Sequence, residues 1–201
     1  VLGRDVRDSG QFLSDAAAAG CAECGADVID LGLTATPTLA RSIARFDADA
    51  GIIVTASHNP PKDNGLKLWT PSGQAFDTDR RDRITEIIDG EAYEFASWDD
   101  SGERTAENAA DAAHTAAIVD TIDNATTETM RNLDTVVDVG NGAGSVTADA
   151  LGEFGVDVTT LNAQPDGAFP GRPSEPTAET LTALRAQVGN TDADIGIAHD
   201  G

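Results

Sequence analysis

The chain has 201 residues and a formal net charge of −22 at pH 7. Such an acidic surface repels nucleic acids and anionic membranes, which excludes functions that depend on binding to either. With 40% hydrophobic residues the chain can bury the cores of one large or two small domains. No apolar run approaches the ~20 residues of a membrane-spanning helix, and no basic-then-apolar leader opens the chain. We therefore expect a globular protein of the cytoplasm.

The charge also predicts adaptation to a salt-rich cytoplasm, where ions screen carboxylates over a few ångströms. An ordinary acidic protein is the alternative. The lysines of the chain are Lys62 and Lys67, and both fall in one polar loop, which favours a chemical role for that loop. Cys21 and Cys24 form a C-x-x-C inside an alanine-rich helical pattern. Because no second pair completes a zinc site, we expect free thiols in a reducing compartment.

The first half of the chain alternates short apolar runs with helical patterns, which predicts a layered α/β domain. Thr36 should cap the second helix with Pro37 at its first position, and Asp77 should cap the third, which Gly90 ends. The short return between the third and fourth strands suits an antiparallel pair, so the sheet should be mixed. The predicted strands are 1–5, 28–31, 51–56 and 66–69, and the predicted helices are 9–24, 36–46 and 77–90.

A polar loop between two of these strands concentrates reactive side chains. Residues 55–67 read Thr-Ala-Ser-His-Asn-Pro-Pro-Lys-Asp-Asn-Gly-Leu-Lys, and the prolines forbid a helix. The Ser57 hydroxyl can carry a covalent phosphoryl group, and the His58 imidazole and Lys67 ammonium can move protons or meet phosphate charge. The alternative is a polar turn whose side chains only satisfy local hydrogen bonds.

Residues 91–107 are polar and aperiodic, which predicts a linker anchored by Trp98 and a domain boundary between 104 and 105. A second α/β pattern follows. Its glycine-rich turn at 140–145 suits either a phosphate cradle or close strand–helix packing. Thr177 should cap the last helix. The expected helices are 107–125, 145–154 and 177–188, the strands are 135–139, 156–158 and 194–198, and a Pro/Gly-rich loop occupies 166–176.

Four strings in this sequence resemble one enzyme family. Thr-Ala-Ser-His-Asn-Pro-Pro at 55–61, followed by Asn-Gly-Leu-Lys at 64–67, closely resembles the phosphoserine loop of the α-D-phosphohexomutases. These include phosphoglucomutases, phosphomannomutases and phosphoglucosamine mutases. Residues 3–10 resemble the family's Gly-Arg-Asp-x-Arg-x-Ser-Gly, and residues 139–144 its second domain. Gly-Ile-Ala-His-Asp-Gly at 196–201 resembles the strand before its Asp-Gly-Asp-x-Asp-Arg metal loop.

The resemblance implies a fold of two three-layer α/β/α domains with mixed sheets, at 1–104 and 105–201, which are the first two of the family's four domains. It implies an isomerase of the phosphomannomutase/phosphoglucomutase type, with phosphoglucosamine mutase as the alternative, that moves a phosphoryl group between the 1- and 6-positions of a hexose phosphate through a phosphoserine. The implied cofactor is Mg²⁺, and hexose 1,6-bisphosphate is the implied activator. The partner is then a small-molecule hexose phosphate.

The resemblance also assigns roles to individual residues. Ser57 would carry the phosphoryl group and contact the metal together with Asp200. Arg forks suit phosphate oxygens, but Arg4 and Arg7 have a structural alternative, pairing with Asp5 and Asp8. The implied catalytic residues are Ser57, His58 and Lys67, the implied phosphate-binding residues are Arg4, Arg7 and Asn59, and the implied metal ligands are Ser57 and Asp200.

Three outcomes remain open at this point. In the first the chain is part of a mutase, and in the second it is a phosphosugar-binding piece without activity, because the family's third and fourth domains are not in this sequence. In the third it is a phosphoserine hydrolase. We expect Ser57 and Asp200 to lie close together, because both follow the carboxyl ends of strands, where ligands gather in α/β domains.

Overall fold

The structure, a computed structural model, describes residues 1–200 and contains two compact units. Residues 1–4, 9–55 and 64–110 form the first unit, and residues 5–8, 56–63 and the chain from Asp111 onward form the second. Each unit has its own β-sheet. Two α/β units agree with the predicted fold class, and the predicted boundary at 104/105 stays a prediction. Gly201, which completes the Asp-Gly pair at the end of the sequence, lies outside the described residues.

The first unit is built on a five-stranded mixed sheet. Its elements are β1 (Leu2–Arg4), α1 (Gly10–Glu23), β2 (Val28–Leu33), α2 (Thr36–Arg45), β3 (Gly51–Val54), β4 (Leu66–Trp69), α3 (Thr78–Asp89) and β5 (Arg104–Ala106). The strand order is β4-β3-β1-β2-β5. As predicted, the short return makes β4 antiparallel to β3, whereas the other pairs are parallel.

Helices cover both faces of this sheet, because successive side chains of a strand point to opposite faces. Leu2 and Val54 pack with Ala18 of α1 in one buried cluster. The neighbouring Ile53 packs instead with Leu39 of α2 in the other. The sheet therefore separates two apolar layers, which are formed by the leucine and β-branched side chains on its two faces.

Three local predictions for the first unit are wrong. The predicted linker contains a strand, β5, which pairs in parallel with β2. All three of its residues are exposed, so an edge strand without an apolar face gave no alternating pattern. Trp98 is 91% exposed and anchors nothing. Helix α2 begins at Thr36, so its N-cap is Ala35 and not the predicted Thr36. Pro37 still lies in the first turn, where a residue without an N–H is tolerated because the N–H groups there have no intrahelical acceptor. Asp77 caps α3 as predicted, accepting from Arg80 N.

The second unit is built on three parallel strands. Its elements are α4 (Ala110–Thr121), α5 (Asn124–Met130), β6 (Asp134–Asp138), α6 (Val146–Glu153), β7 (Asp157–Leu161), α7 (Thr182–Asn190) and β8 (Ile195–Ala198). The central strand β6 lies between β7 and β8, and its Val136 and Val137 are both buried. Phe154 at the end of α6 packs with Ile118 of α4 and Val158 of β7, and Leu184 of α7 packs close to Gly196 of β8.

The ends of two helices differ from the predictions. Residues 107–125 hold α4 and the start of α5, a break that the alanine-rich sequence did not signal. Thr177 caps a turn and not a helix, since its hydroxyl accepts from Thr180 N and α7 begins only at Thr182. Among residues 1–200, every helix is too short or too polar to cross a bilayer.

Candidate functional site

The loop at 56–63, called the Ser57 loop below, holds Ser57 in an unusual backbone conformation. Ser57 has φ +55°, in the left-handed region that non-glycine residues seldom occupy. Ser57 is half-buried, whereas His58 and Asn59 are exposed. Such a conformation costs about 1–3 kcal/mol and persists only where surrounding contacts impose it.

Arg7 supplies those contacts. Its Nη2 donates to the carbonyl oxygens of Ser57 and Asn59, each at 2.7 Å, and its Nη1 to those of Pro60 and Asp63 at 2.5 and 2.8 Å. Its Nε donates to Asp5 Oδ2 at 3.0 Å. All five guanidinium N–H groups therefore have protein acceptors, and no N–H is left for a substrate phosphate. The structure favours the structural alternative for Arg7.

His58 meets two carboxylates that are remote in sequence. Its Nδ1 lies 3.2 Å from Glu175 Oε2 and 3.8 Å from Asp200 Oδ2. One ligand atom from each of these three residues can be chosen so that all lie within 4.8 Å of one another. All three side chains are about half exposed. The structure thus brings Asp200 to the residue next to Ser57, and it adds Glu175, which sequence reasoning missed.

A buried ion pair holds the loop that carries Glu175. Arg172 Nε donates to Asp138 Oδ2 at 2.9 Å, and the two side chains are 3% and 1% exposed. The same guanidinium donates to the carbonyls of Ser174 and His199, at 3.1 and 2.6 Å. Ser174 Oγ donates in turn to His58 O at 2.6 Å. One arginine thus binds the carbonyl of the residue directly before Glu175 and that of the residue directly before Asp200.

The glycine-rich turn at 140–145 is filled by protein side chains. A Cβ added at Gly140, whose φ is +67°, would lie 2.5 Å from Arg172 Nη2, and one at Gly144 would lie 2.8 Å from His199 Nδ1. Burial lowers the pKa of His199, and the Arg172 charge lowers it further, although Asp138 acts in the opposite direction. These contacts favour close packing over a phosphate cradle at this turn.

The remaining predicted site residues lie in different surroundings. Asn59 contributes its carbonyl oxygen to Arg7 and to Ser174 Oγ. Arg4 ends β1 in the first unit, where its Nε donates to Gln11 Oε1 at 3.1 Å. Lys67 lies in β4 of the first unit, opposite Ile53, with its side chain exposed. The phosphate-binding role of Arg4 and Asn59 and the proton-transfer role of Lys67 stay predictions.

Comparison with known proteins identifies the family. Residues 1–94 match the family domain described as "Phosphoglucomutase/phosphomannomutase, alpha/beta/alpha domain I", and residues 112–201 match the corresponding domain II. This chain belongs to the phosphoglucomutase/phosphomannomutase family. The family resemblance of the four sequence strings is thereby confirmed.

Relatives carry more than one name within this family. A "Probable phosphoglucosamine mutase" of Methanopyrus kandleri is 42% identical over 100% of this chain and 44% of its own length. A "Phosphoglucomutase/phosphomannomutase" of Thermococcus kodakarensis is 40% identical over the same shares. A crystal structure of a family protein from Burkholderia thailandensis superposes with a TM-score of 0.84 at 31% identity, over 97% of this chain and 42% of that one. The chain therefore spans a little under half the length of these relatives.

Four residues at the site were not found from the sequence: Asp138, Arg172, Ser174 and Glu175. Glu175 lies in a stretch that composition alone marks as a loop. For the ion pair of Asp138 and Arg172, the sequence offers one signal: Asp138 is a charged residue at the end of an apolar run, directly after Val137. A carboxylate buried there requires a cation.

Proposed function

We propose that this chain carries the phosphoserine half of a phosphohexomutase, an isomerase that moves a phosphoryl group between the 1- and 6-positions of a hexose phosphate. The observation that carries the proposal is the backbone of Ser57, held in the left-handed region by the Arg7 contacts within a family phosphoserine string. Strained backbone that the surroundings over-determine is a feature of functional sites. In the same proposal, residues 1–104 and 105–201 are the family's domains I and II.

The chemistry is a phosphoryl exchange at Ser57 Oγ. A sugar hydroxyl oxygen attacks phosphorus, the bond from phosphorus to Oγ breaks, and the hydroxyl proton passes to a base. Oγ leaves as the alkoxide and takes a proton from an acid. The resulting bisphosphorylated sugar then returns its other phosphoryl group to Ser57. Hexose 1,6-bisphosphate is such an intermediate, which is why we propose it as activator.

Two residues are proposed to handle these protons. Lys67 occupies the acid/base position of the family string and is exposed, so its ammonium is accessible. His58 has its Nδ1 directed at Glu175 Oε2, which leaves Nε2 to exchange protons with a ligand. Arg4 and Asn59 are proposed to contact the sugar phosphate. A cytoplasmic location is part of this proposal.

A divalent cation fits part of the carboxylate cluster. Mg²⁺ takes oxygen ligands, so Asp200 and Glu175 offer suitable donors, and the His58 imidazole is the less suitable member. We propose that Asp200 and phosphorylated Ser57 hold Mg²⁺, with Glu175 beside them. When bound, the cation neutralises charge on the transferred phosphoryl group.

The proposal is tested by intact-mass measurement of the full-length protein after incubation with glucose 1,6-bisphosphate. We expect one added phosphate, mapped to Ser57 and lost in Ser57→Ala. Ser97→Ala, which removes an exposed serine, is the matched control and should still take up phosphate. Phosphate mapped to another residue would overturn the assignment.

Turnover assays separate the remaining alternatives. Conversion of hexose 1-phosphate to 6-phosphate supports the mutase, and release of inorganic phosphate without isomerised sugar supports a hydrolase. Because the relatives are named for glucosamine, glucose and mannose phosphates, all three sugars should be compared. Binding without turnover in the full-length protein would mean that the chain belongs to a phosphosugar-binding protein.

A further inference from the structure

We propose that Arg7 is a positioning residue, which sets the conformation of the Ser57 loop and thereby orients Ser57. This inference rests on the proposed function, because it concerns Ser57 as the phosphoryl carrier. Arg7 is well suited to the role, since its side chain is 0% exposed and contacts the loop from Ser57 to Asp63. It acts through the backbone and has no contact to offer a substrate.

The sequence of the loop matches the guanidinium that it surrounds. Arg7 binds the carbonyl oxygens of Asn59 and Pro60, and the nitrogens of the same peptide units belong to Pro60 and Pro61. A proline nitrogen has no N–H, so these units offer an acceptor with no donor beside it. The Asn-Pro-Pro string therefore produces a cluster of carbonyl oxygens that a buried cation can satisfy. The two prolines therefore contribute carbonyl acceptors without neighbouring N–H groups, in addition to making the loop rigid.

The Ser57 carbonyl is one of the four oxygens held, which links Arg7 to the strained residue itself. Because a trans peptide unit is planar, fixing the direction of this carbonyl fixes the orientation of the plane between Ser57 and His58. The plane on the C-terminal side of Ser57 is thus set by Arg7 at the residue whose φ is +55°. If the guanidinium moved or lost this donor, the peptide plane between Ser57 and His58 would be free to rotate.

Arg7 is itself fixed in place on two sides. Asp5 accepts from the Arg7 backbone N through Oδ1 and from Nε through Oδ2, each at 3.0 Å. The guanidinium carbon lies 5.4 Å from the centre of the Phe169 ring, and Phe169 is buried. A Cβ added at Gly167 would lie 2.5 Å from the Val6 carbonyl oxygen, so the Phe169 loop also contacts the chain beside Arg7. The guanidinium plane is therefore held before any substrate binds.

The test uses Arg7→Lys in the full-length protein. Lysine keeps the charge but has three donors where arginine has five, so at least two of the five contacts are lost, and at least one of these is a contact to the loop. We expect kcat to fall about 100-fold, the effect of displacing a reacting group by about 1 Å. We expect KM for the hexose phosphate to change less than about threefold, because no Arg7 donor reaches substrate. The matched control is Arg104→Lys, which also alters a guanidinium bound to carboxylates but should leave both constants unchanged.

Hydrogen exchange provides a readout that does not depend on turnover. In Arg7→Lys, the amides of the Ser57 loop should exchange at least tenfold faster, while those of β6 keep the wild-type rate. In Arg7→Gly, added guanidinium ion should restore part of the lost kcat, because it can occupy the vacated acceptor cluster. A normal kcat in Arg7→Lys, with or without a raised KM, would overturn the proposal.

Failure of this inference and failure of the proposed function give different results. If the wild-type full-length protein has no mutase activity, the proposed function fails, and the exchange of loop amides still tests whether Arg7 sets the loop. If exchange in Arg7→Lys increases equally in the loop and in β6, Arg7 only holds the fold together and the positioning role is overturned.

Discussion

The buried pair of Asp138 and Arg172 allows a stability prediction with a defined magnitude. Asp138 Oδ1 accepts from Gly140 N at 3.0 Å and from Asn162 Nδ2 at 2.9 Å, and Oδ2 accepts from Arg172 Nε at 2.9 Å. Asp138→Asn keeps one oxygen for the first two donors. Its amide group would place a donor against Arg172 Nε–H and leave the guanidinium without a counter-charge.

Breaking a buried ion pair by removing one partner costs about 3–5 kcal/mol, because a charge stays buried without compensation. The two side chains, 1% and 3% exposed, meet this condition. Because 1.4 kcal/mol corresponds to a factor of ten, the population of unfolded second unit should rise roughly 100- to 4,000-fold.

The assay is amide exchange of Val136 and Val137 in β6, under conditions where exchange is limited by unfolding of the second unit. The control is Glu128→Gln, which removes the carboxylate partner of Arg131 in a pair whose side chains are 68% and 56% exposed. An exposed pair contributes at most about 1 kcal/mol, so its exchange should rise less than about fivefold. Equal rates in the two variants would refute the conclusion that burial of the Arg172 charge makes the Asp138 carboxylate necessary.

Further predictions concern salt, thiol chemistry and a buried hydroxyl. Thermal unfolding midpoints should rise with added KCl, because ions screen the repulsion within a chain of charge −22; a flat or falling midpoint would assign the acidity another cause. Iodoacetamide should modify Cys24 faster than Cys21, as peptide mass mapping can measure, because burial raises the pKa of the Cys21 thiol whereas Cys24 is exposed; equal rates would contradict this. Ser174→Ala should destabilise the second unit by about 1 kcal/mol, since His58 O loses a buried donor. The same β6 exchange measures this loss, and an effect no larger than that of Ser97→Ala would count against it.

Features that depend on a few neighbouring residues were predicted well from the sequence. The strand Leu66–Trp69 and the Asp77 cap of α3 are found at the predicted residues, because each depends on a short window of backbone and side-chain preferences. The edge strand β5 was missed, since its pairing with β2 comes from backbone bonds across more than 70 residues of chain. The start of α7 was misplaced because Thr177 and Thr180 bond to each other in a turn.

The amino-acid sequence by itself determined the family string around Ser57, the α/β alternation and the acidic surface, because these are properties of residue types and their spacing. Only the tertiary structure decided what Arg7 binds, which carboxylates meet His58, and why Arg172 and Asp138 are buried. The physical reason is that each of these contacts joins residues far apart in sequence, such as Arg7 with Ser57 and Ser174 with His58. Whether a guanidinium faces solvent or four carbonyl oxygens depends on which segments the fold packs around it. The conformational preferences of neighbouring residues do not determine that packing.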